Sequence, residues 1–83
     1  MYKSIHSKEY RAVLRLLRRA REAAGVTQAE FARRLGQSQS FVSKCERGER
    51  RLDIVELRQF CLVLKISFTG FVRKVDEELG AGR

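Results

Sequence analysis

The stretch "LGQSQSFVSKCERGERR", Leu35 to Arg51, decides how this 83-residue sequence folds. A run of amide and hydroxyl side chains lies between two glycines, and a burst of arginine follows it. Within the run only Phe41, Val42 and Cys45 are apolar, too few for a helix that is buried on all sides. The stretch therefore predicts a short helix with a narrow inward face and an outward face rich in hydrogen-bonding groups.

Signals that begin and end helices divide the rest of the sequence. Two capping-box patterns, Thr27 to Glu30 and Asp53 to Glu56, mark helix starts at which side chains satisfy free backbone amides. Glycines follow the first three segments as C-terminal stops. No segment alternates polar and apolar residues with a period of two, so we expect an all-α chain. The predicted helices span about 7–24, 28–35, 39–47, 53–64 and 68–79.

Basic side chains are concentrated in the first two thirds of the sequence. The chain has 18 Lys and Arg against 10 Asp and Glu, a net charge of +8. Residues 1–25 carry a net +5, residues 26–52 a net +3, and residues 53–83 no net charge. This asymmetry fits a surface that faces a polyanion, with the neutral end turned away or toward a protein partner. A solvated charged face accounts for the charge equally well, so charge alone does not decide for nucleic acid.

Several function classes find no support in the composition. A chain of 83 residues buries a modest core and argues for one domain over 1–83. Cys45 and Cys61 lie among apolar residues, and with one His and no CxxC they predict buried thiols rather than a metal site. There is no apolar run of membrane-spanning length and no signal peptide, so we expect a cytoplasmic protein. No catalytic constellation is present, and neither an enzyme, a cofactor nor a small-molecule substrate is expected.

The second and third predicted helices are joined by only three residues, Gly36 to Ser38. So tight a turn requires a residue that tolerates a left-handed backbone, which Gly36 supplies. Ala32 provides a small side chain where the two helices cross, and Val42 and Cys45 are placed to face inward. This spacing is that of a helix-turn-helix, whose second helix enters the major groove of DNA.

The segment "GVTQAEFARRLGQSQSFVSKCERGERRLDIVELRQF", residues 25–60, closely resembles the Cro/cI-type (XRE-like) helix-turn-helix family of phage-repressor-like transcriptional regulators. The resemblance extends over about Val13 to Ile66. It implies a five-helix, lambda-repressor-like bundle with a central helix-turn-helix that binds double-stranded DNA, in a prokaryotic, nucleoid-associated setting. The matching residues are Gly25, Thr27, Gln28, Ala32, Gly36, Val42, Glu46 and Gly48.

Side chains of the third helix are the candidates for contacts with base edges. An amide such as Gln39 pairs bidentately with adenine, and serine hydroxyls bond either a base or a phosphate. We also expect Phe41 to be exposed and to contact a thymine methyl group. The candidate base-contacting residues, from their outward positions and from the resemblance, are Gln39, Ser40, Phe41, Ser43 and Lys44.

A second set of side chains is expected to hold the phosphate backbone. Gln28 lies in the first turn of the second helix, where free amides and the helix dipole attract an anion. The arginines that follow the third helix are placed to hold further phosphates. The resemblance also implies an ion pair between Arg21 and Glu46. The candidate phosphate-contacting residues are Thr27, Gln28, Ser38, Arg47, Arg50 and Arg51.

The C-terminal helix, residues 67–79 with its cap, carries an apolar stripe that is large for so small a domain. The stripe either covers the core through the first and fourth helices or forms the homodimer interface that regulators of this family usually have. If the stripe serves both the core and the dimer, we expect Phe71 and Val72 to face the core and Val75 and Leu79 to be shared with the dimer interface. The candidate dimer-interface residues are Phe68, Phe71, Val72, Val75 and Leu79.

The end of the fourth helix departs from the family pattern. Lys65 stands where the fourth helix usually ends in glycine, so we expect a turn there that is strained or differently shaped.

The predicted function is a sequence-specific, non-enzymatic DNA-binding regulator, such as a repressor, that reads the major groove with residues 39–47 as a homodimer. The alternative is an antitoxin-type or other interaction module that binds its own promoter and a protein partner, either a toxin or the transcription machinery. A membrane-surface protein built on the basic first helix is the third reading, but that helix lacks Trp or Phe anchors.

Overall fold

The computed structural model describes residues 7–80, which form five helices and contain no strand. The all-α bundle predicted from the sequence is confirmed, and each helix begins and ends within one or two residues of its predicted bounds. The helices are α1 (Lys8–Ala23), α2 (Gln28–Leu35), α3 (Gln39–Arg47), α4 (Ile54–Leu64) and α5 (Phe68–Gly80).

Short polar side chains cap all five helix starts. At Asp53 the capping box is complete, because Asp53 accepts from the Glu56 amide and the Glu56 carboxylate accepts from the Asp53 amide. At Thr27 only half of the expected box forms. The Thr27 hydroxyl accepts from the Glu30 amide, but the Glu30 carboxylate accepts from two arginines of its own helix instead. The capping residues are Ser7, Thr27, Ser38, Asp53 and Ser67.

The core lies between the α2–α3 pair and the three other helices. α3 packs against α1 and α2, α4 packs against α2, and α5 packs against α1 and α4. The Phe31 and Phe60 rings meet edge to face, with centroids 5.0 Å apart, and join α2 to α4. The largest fully buried side chains are Phe31, Phe60, Leu17, Val42, Cys45 and Cys61.

Two apolar side chains fix the orientation of α3. Val42 and Cys45 are both 0% exposed, and Ala32 lies at the crossing with α2 at 3% exposure. Burial raises the pKa of the Cys45 thiol, which keeps it protonated and apolar in character at neutral pH. Because this side of α3 faces the core, the opposite side is turned outward.

The exposure predicted for Phe41 is wrong. Its side chain is only half-exposed, because it packs edge to face against Phe60 with ring centroids 6.2 Å apart. The Arg50 guanidinium lies over the same ring, 4.8 Å from its centroid. Phe41 thus connects the outward side of α3 to the core.

Each of the four interhelical turns within residues 7–80 contains a residue with a left-handed backbone, which is a glycine in three turns and Lys65 in the fourth. Gly36 ends α2 with φ 71°, as the tight turn before α3 requires. Lys65 ends α4 with φ 62° and is the one non-glycine residue within 7–80 that has a positive φ. Lys65 therefore adopts a conformation that a side chain disfavours, in agreement with the strained turn expected there.

The stripe on α5 is divided differently from the expectation. Phe71 is buried in the core at 4% exposure, so it is not available to a partner. Val72 was expected inward but is 41% exposed, and Leu79 is 42% exposed. Phe68 and Val75 are half-buried against the core. The reason is geometric, since adjacent residues on a helix are about 100° apart and only one of them can face α1 and α4.

Candidate nucleic-acid interface

The outward side of α3 presents amide, hydroxyl and amine groups. Gln39, Ser40 and Lys44 are exposed; Ser40 and Lys44 lie on the helix face opposite Val42, and Gln39 lies in the first turn. The fourth polar candidate, Ser43, is half-buried, and its hydroxyl accepts a hydrogen bond from the Arg47 guanidinium. Three of the predicted base-contacting residues are therefore open to solvent, while Ser43 is already engaged within the helix.

A buried ion pair holds this helix against α1. The Arg21 guanidinium donates to both carboxylate oxygens of Glu46, at 2.6 and 3.1 Å, and the two side chains are only 8% and 4% exposed. Arg21 also donates to the Val26 carbonyl at 2.7 Å, which ties in the turn before α2. All charged groups of the pair have hydrogen-bonding partners, as a buried ion pair requires.

Gln28 joins the same network from the first turn of α2. Its Nε2 atom donates to Oε1 of Glu46 at 2.9 Å, so α1, α2 and α3 meet at one carboxylate. An amide nitrogen has two N–H donors, and this bond uses one of them. Gln28 lies in the first turn of α2, where free backbone amides also favour an anion.

The arginines that follow α3 are held by nearby side chains. Arg47 donates to Glu49 at 2.8 Å, and Arg50 donates to Glu56 at 2.9 Å. These hydrogen bonds lower the pKa of both carboxyl groups, so the carboxylates are ionised at neutral pH. Exposed pairs of this kind contribute little to stability, which allows a phosphate to replace either carboxylate.

The capping hydroxyls of Thr27 and Ser38 are placed at the starts of α2 and α3. Each accepts from a backbone amide three residues on, at 3.1 Å in both cases. A hydroxyl that accepts one hydrogen bond still has its own proton to donate. Both residues are exposed, so each hydroxyl can donate to an external acceptor such as a phosphate oxygen.

Tyr10 is a residue near the candidate site to which no functional role was assigned from the sequence. Its hydroxyl accepts from the Leu52 amide at 2.8 Å, and the Arg51 guanidinium lies 5.0 Å from its ring centroid. Tyr10 therefore positions the loop between α3 and α4 from a helix 42 residues away. No local sequence signal marks a contact over that separation.

Comparison with known proteins agrees with this geometry. The helix-turn-helix domain family matches residues 12–67. A solved structure described as an XRE-family like protein from Pseudomonas syringae pv. tomato str. DC3000 is 47% identical, superposes with a TM-score of 0.83, and aligns over 89% of this chain and 90% of that chain. The chain belongs to the XRE-like helix-turn-helix family. No curated protein matches the sequence significantly.

Membership of the XRE-like family supports a DNA-binding regulator, and proteins of this family are typically not enzymes. Among residues 7–80, no group of three or more His, Cys, Asp or Glu side chains is arranged to hold a metal ion. In the same part of the chain, every helix is too short or too polar to cross a membrane. The apolar side of α1, including Leu14 and Leu17, is buried in the bundle, which leaves it unavailable for a bilayer surface.

Proposed function

We propose that this XRE-like protein is a sequence-specific transcriptional regulator that reads the DNA major groove with α3 and binds as a homodimer. One observation carries the proposal. Val42 and Cys45 seat α3 on the core at 0% exposure, while Gln39, Ser40 and Lys44 on its outward side remain exposed. These are side chains that recognise base edges rather than those of an ordinary solubilising surface.

The proposed contacts divide into base and phosphate contacts. In this proposal Gln39, in the first turn of α3, pairs bidentately with an adenine, and Lys44 contacts a guanine or a phosphate. Ser40 and Ser43 bond a base or a phosphate, and Phe41 offers a ring edge to a thymine methyl group. The proposed phosphate contacts are made by Thr27, Gln28, Ser38, Arg47, Arg50 and Arg51.

Selection of bound duplexes from a random DNA pool, at a stated salt concentration, tests this function directly. We expect an enriched sequence in which the half-sites are about one helical turn, ~34 Å, apart. If a dimer neutralises about 6–8 phosphates, the logarithm of the binding constant falls with the logarithm of salt with a slope of about −5 to −7. Recovery of no preferred sequence would contradict the proposal.

A Gln39→Ala substitution tests the assignment of α3. We expect it to lose about 1–3 kcal/mol of discrimination at one position of each half-site, because the alanine cannot form the bidentate contact. Gln59→Ala is the matched control, since Gln59 is an exposed amide on α4. Binding constants for the selected site and single-base variants, measured by fluorescence anisotropy, give the comparison. Uniformly weaker binding with an unchanged preference would remove Gln39 from the base-contacting set.

The homodimer is proposed to form through α5. Val72 and Leu79 are 41% and 42% exposed on one side of this helix, next to the half-buried Phe68 and Val75. The C-terminal segment also carries no net charge, so two copies approach there without electrostatic repulsion.

Glutamate substitutions on α5 test the dimer. We expect Val72→Glu/Leu79→Glu to shift the protein to a monomer in sedimentation velocity, because two carboxylates cannot be buried in an apolar contact. Ile54→Glu is the control, since Ile54 is an apolar residue of α4 and is 68% exposed. Dissociation by the control alone would place the interface on α4, and a monomeric wild-type protein would rule out the dimer.

A further inference from the structure

A cleft between α1 and the C-terminal end of α3 has a strongly basic lining. Its volume is about 300 Å³. The one carboxylate in the lining, Glu46, is already neutralised by Arg21 and lies almost fully buried. The charges that the cleft presents to solvent are therefore positive. The lining residues are Arg11, Leu14, Arg15, Arg18, Glu46 and Arg47.

The guanidinium groups of the cleft are accessible and weakly held. The Arg15, Arg18 and Arg47 side chains are 47%, 62% and 55% exposed. Their partners are the surface carboxylates Glu78 at 3.4 Å, Glu22 at 3.1 Å and Glu49 at 2.8 Å. Exposed pairs of this kind contribute little to stability, so an incoming anion with several oxygens can replace them.

The cleft is continuous with the outward side of α3. Arg47 lines the cleft and also donates to the Ser43 hydroxyl, which neighbours the exposed Lys44. On α1, Arg11, Arg15 and Arg18 follow each other at intervals of four and three residues, the spacing of one helix face. They extend over about 10 Å along the helix axis. Over the same length of the duplex axis, one DNA strand presents about three phosphates.

We infer that this cleft binds the phosphodiester backbone of the target duplex just outside the base pairs that α3 reads. The inference rests on the proposed function, because the duplex is the one that α3 engages. Arg15 and Arg18 supply the flanking contacts, and Arg47 connects them to the contacts of α3. The protein then requires more DNA than its base-specific site, although the added base pairs carry no sequence information.

Two duplexes and two double variants test the inference. One duplex ends at the last base pair of the selected site, and the other extends it by one helical turn at each end. Arg15→Gln/Arg18→Gln removes two cleft charges, and glutamine is a good helix former at these exposed positions. Arg58→Gln/Arg73→Gln is the control, because it removes the same charge from exposed positions on α4 and α5. Thermal unfolding verifies that both variants are folded.

We expect the wild-type protein to bind the long duplex about tenfold more tightly than the short one, and the cleft variant to lose most of that gain. On the long duplex, the salt slope of the dimeric cleft variant is smaller by about 4, one for each of the two phosphate contacts removed from each protomer. The control variant keeps the wild-type difference between the two duplexes.

Four results overturn the inference. An equal loss on both duplexes means that the cleft arginines act only through overall charge. If the cleft variant binds both duplexes as tightly as the wild-type protein does, the cleft does not bind DNA and belongs to another occupant, such as an acidic protein. Equal wild-type affinity for both duplexes shows that flanking backbone is not bound, and in that case α3 reading stands. Selection that recovers no preferred site removes the proposed function and this inference together.

Discussion

The two halves of this molecule differ in charge and in exposed apolar surface. The excess of positive charge belongs to residues 1–52, which include α1, α2 and α3, whereas residues 53–83 are neutral overall. The large apolar side chains that are exposed lie, within the part of the chain that the structure describes, on α4 and α5. They are Ile54, Val55, Leu62, Val72 and Leu79.

This division suits two kinds of contact. A basic surface with exposed amides and hydroxyls is complementary to DNA, while exposed apolar side chains without net charge are complementary to another protein surface. The halves are also stabilised differently. A buried ion pair ties α3 to α1, whereas α4 and α5 join the core through apolar side chains such as Phe60 and Phe71.

Removal of the buried ion pair is expected to have the largest effect on stability. Arg21→Ala leaves the Glu46 carboxylate without its main partner at 4% exposure, which costs about 3–5 kcal/mol. Chemical denaturation measures the change in free energy of unfolding. Arg18→Ala is the matched control on the same helix, because its pair with Glu22 is exposed and its loss costs less than about 1 kcal/mol.

A second variant distinguishes the cost of leaving the Glu46 carboxylate buried and unpaired from the loss of a favourable contact with Arg21. Arg21→Met/Glu46→Leu removes both charges and keeps most of the volume, so it is expected to recover much of the stability lost in Arg21→Ala. A double variant as unstable as the single one would show that the pair contributes net stability. The difference between the halves would then rest on favourable electrostatics rather than on the cost of an unpaired charge.

The neutral half is expected to gain stability at Lys65. Lys65→Gly relieves the left-handed backbone at φ 62° and is expected to stabilise the protein by about 1 kcal/mol, net of the extra freedom of glycine in the unfolded chain.

Gly36→Ala is the opposite test in the basic half. No atom lies within 4 Å of the added Cβ, so the expected loss of about 1 kcal/mol comes from the backbone alone. Unchanged thermal midpoints in both variants would contradict this account.

Local signals in the sequence were sufficient to predict the helices and the orientation of α3. The glycine stops, the capping residues and the spacing of Val42 and Cys45 act within a few residues, so their effects can be read along the chain. Phe41 was predicted wrongly because its partners, Phe60 and Arg50, come from other elements. The division of the α5 stripe between Phe71 and Val72 likewise depends on how α5 docks.

The residue types of the candidate site could be predicted from the sequence, but the hydrogen bonds and ion pairs between its side chains could not. The arginines after α3 stand out in the sequence, while their partners Glu49 and Glu56 could have been assigned elsewhere. The capping box predicted at Thr27 failed for the same reason, because Arg33 and Arg34 compete for the Glu30 carboxylate. Competition among long, flexible side chains on a surface is decided by small free-energy differences that a sequence pattern does not record.

That competition at Glu30 gives the smallest predicted effect, and it concerns pH. Hydrogen bonds from Arg33 and Arg34 lower the pKa of Glu30 from 4.5 to about 2. Since the folded pKa lies below the unfolded one, the stabilisation is complete above pH 4.5 and is lost as the pH falls toward 2. Glu30→Gln therefore lowers the thermal midpoint slightly at pH 7 and reduces its fall between pH 4.5 and 2. Arg33→Gln/Arg34→Gln removes the cause and is expected to reduce that fall equally. A wild-type acid dependence in both variants would mean that Arg33 and Arg34 do not stay hydrogen-bonded to the Glu30 carboxylate in solution, and that the acid sensitivity arises from other carboxyl groups, such as Glu49 and Glu56.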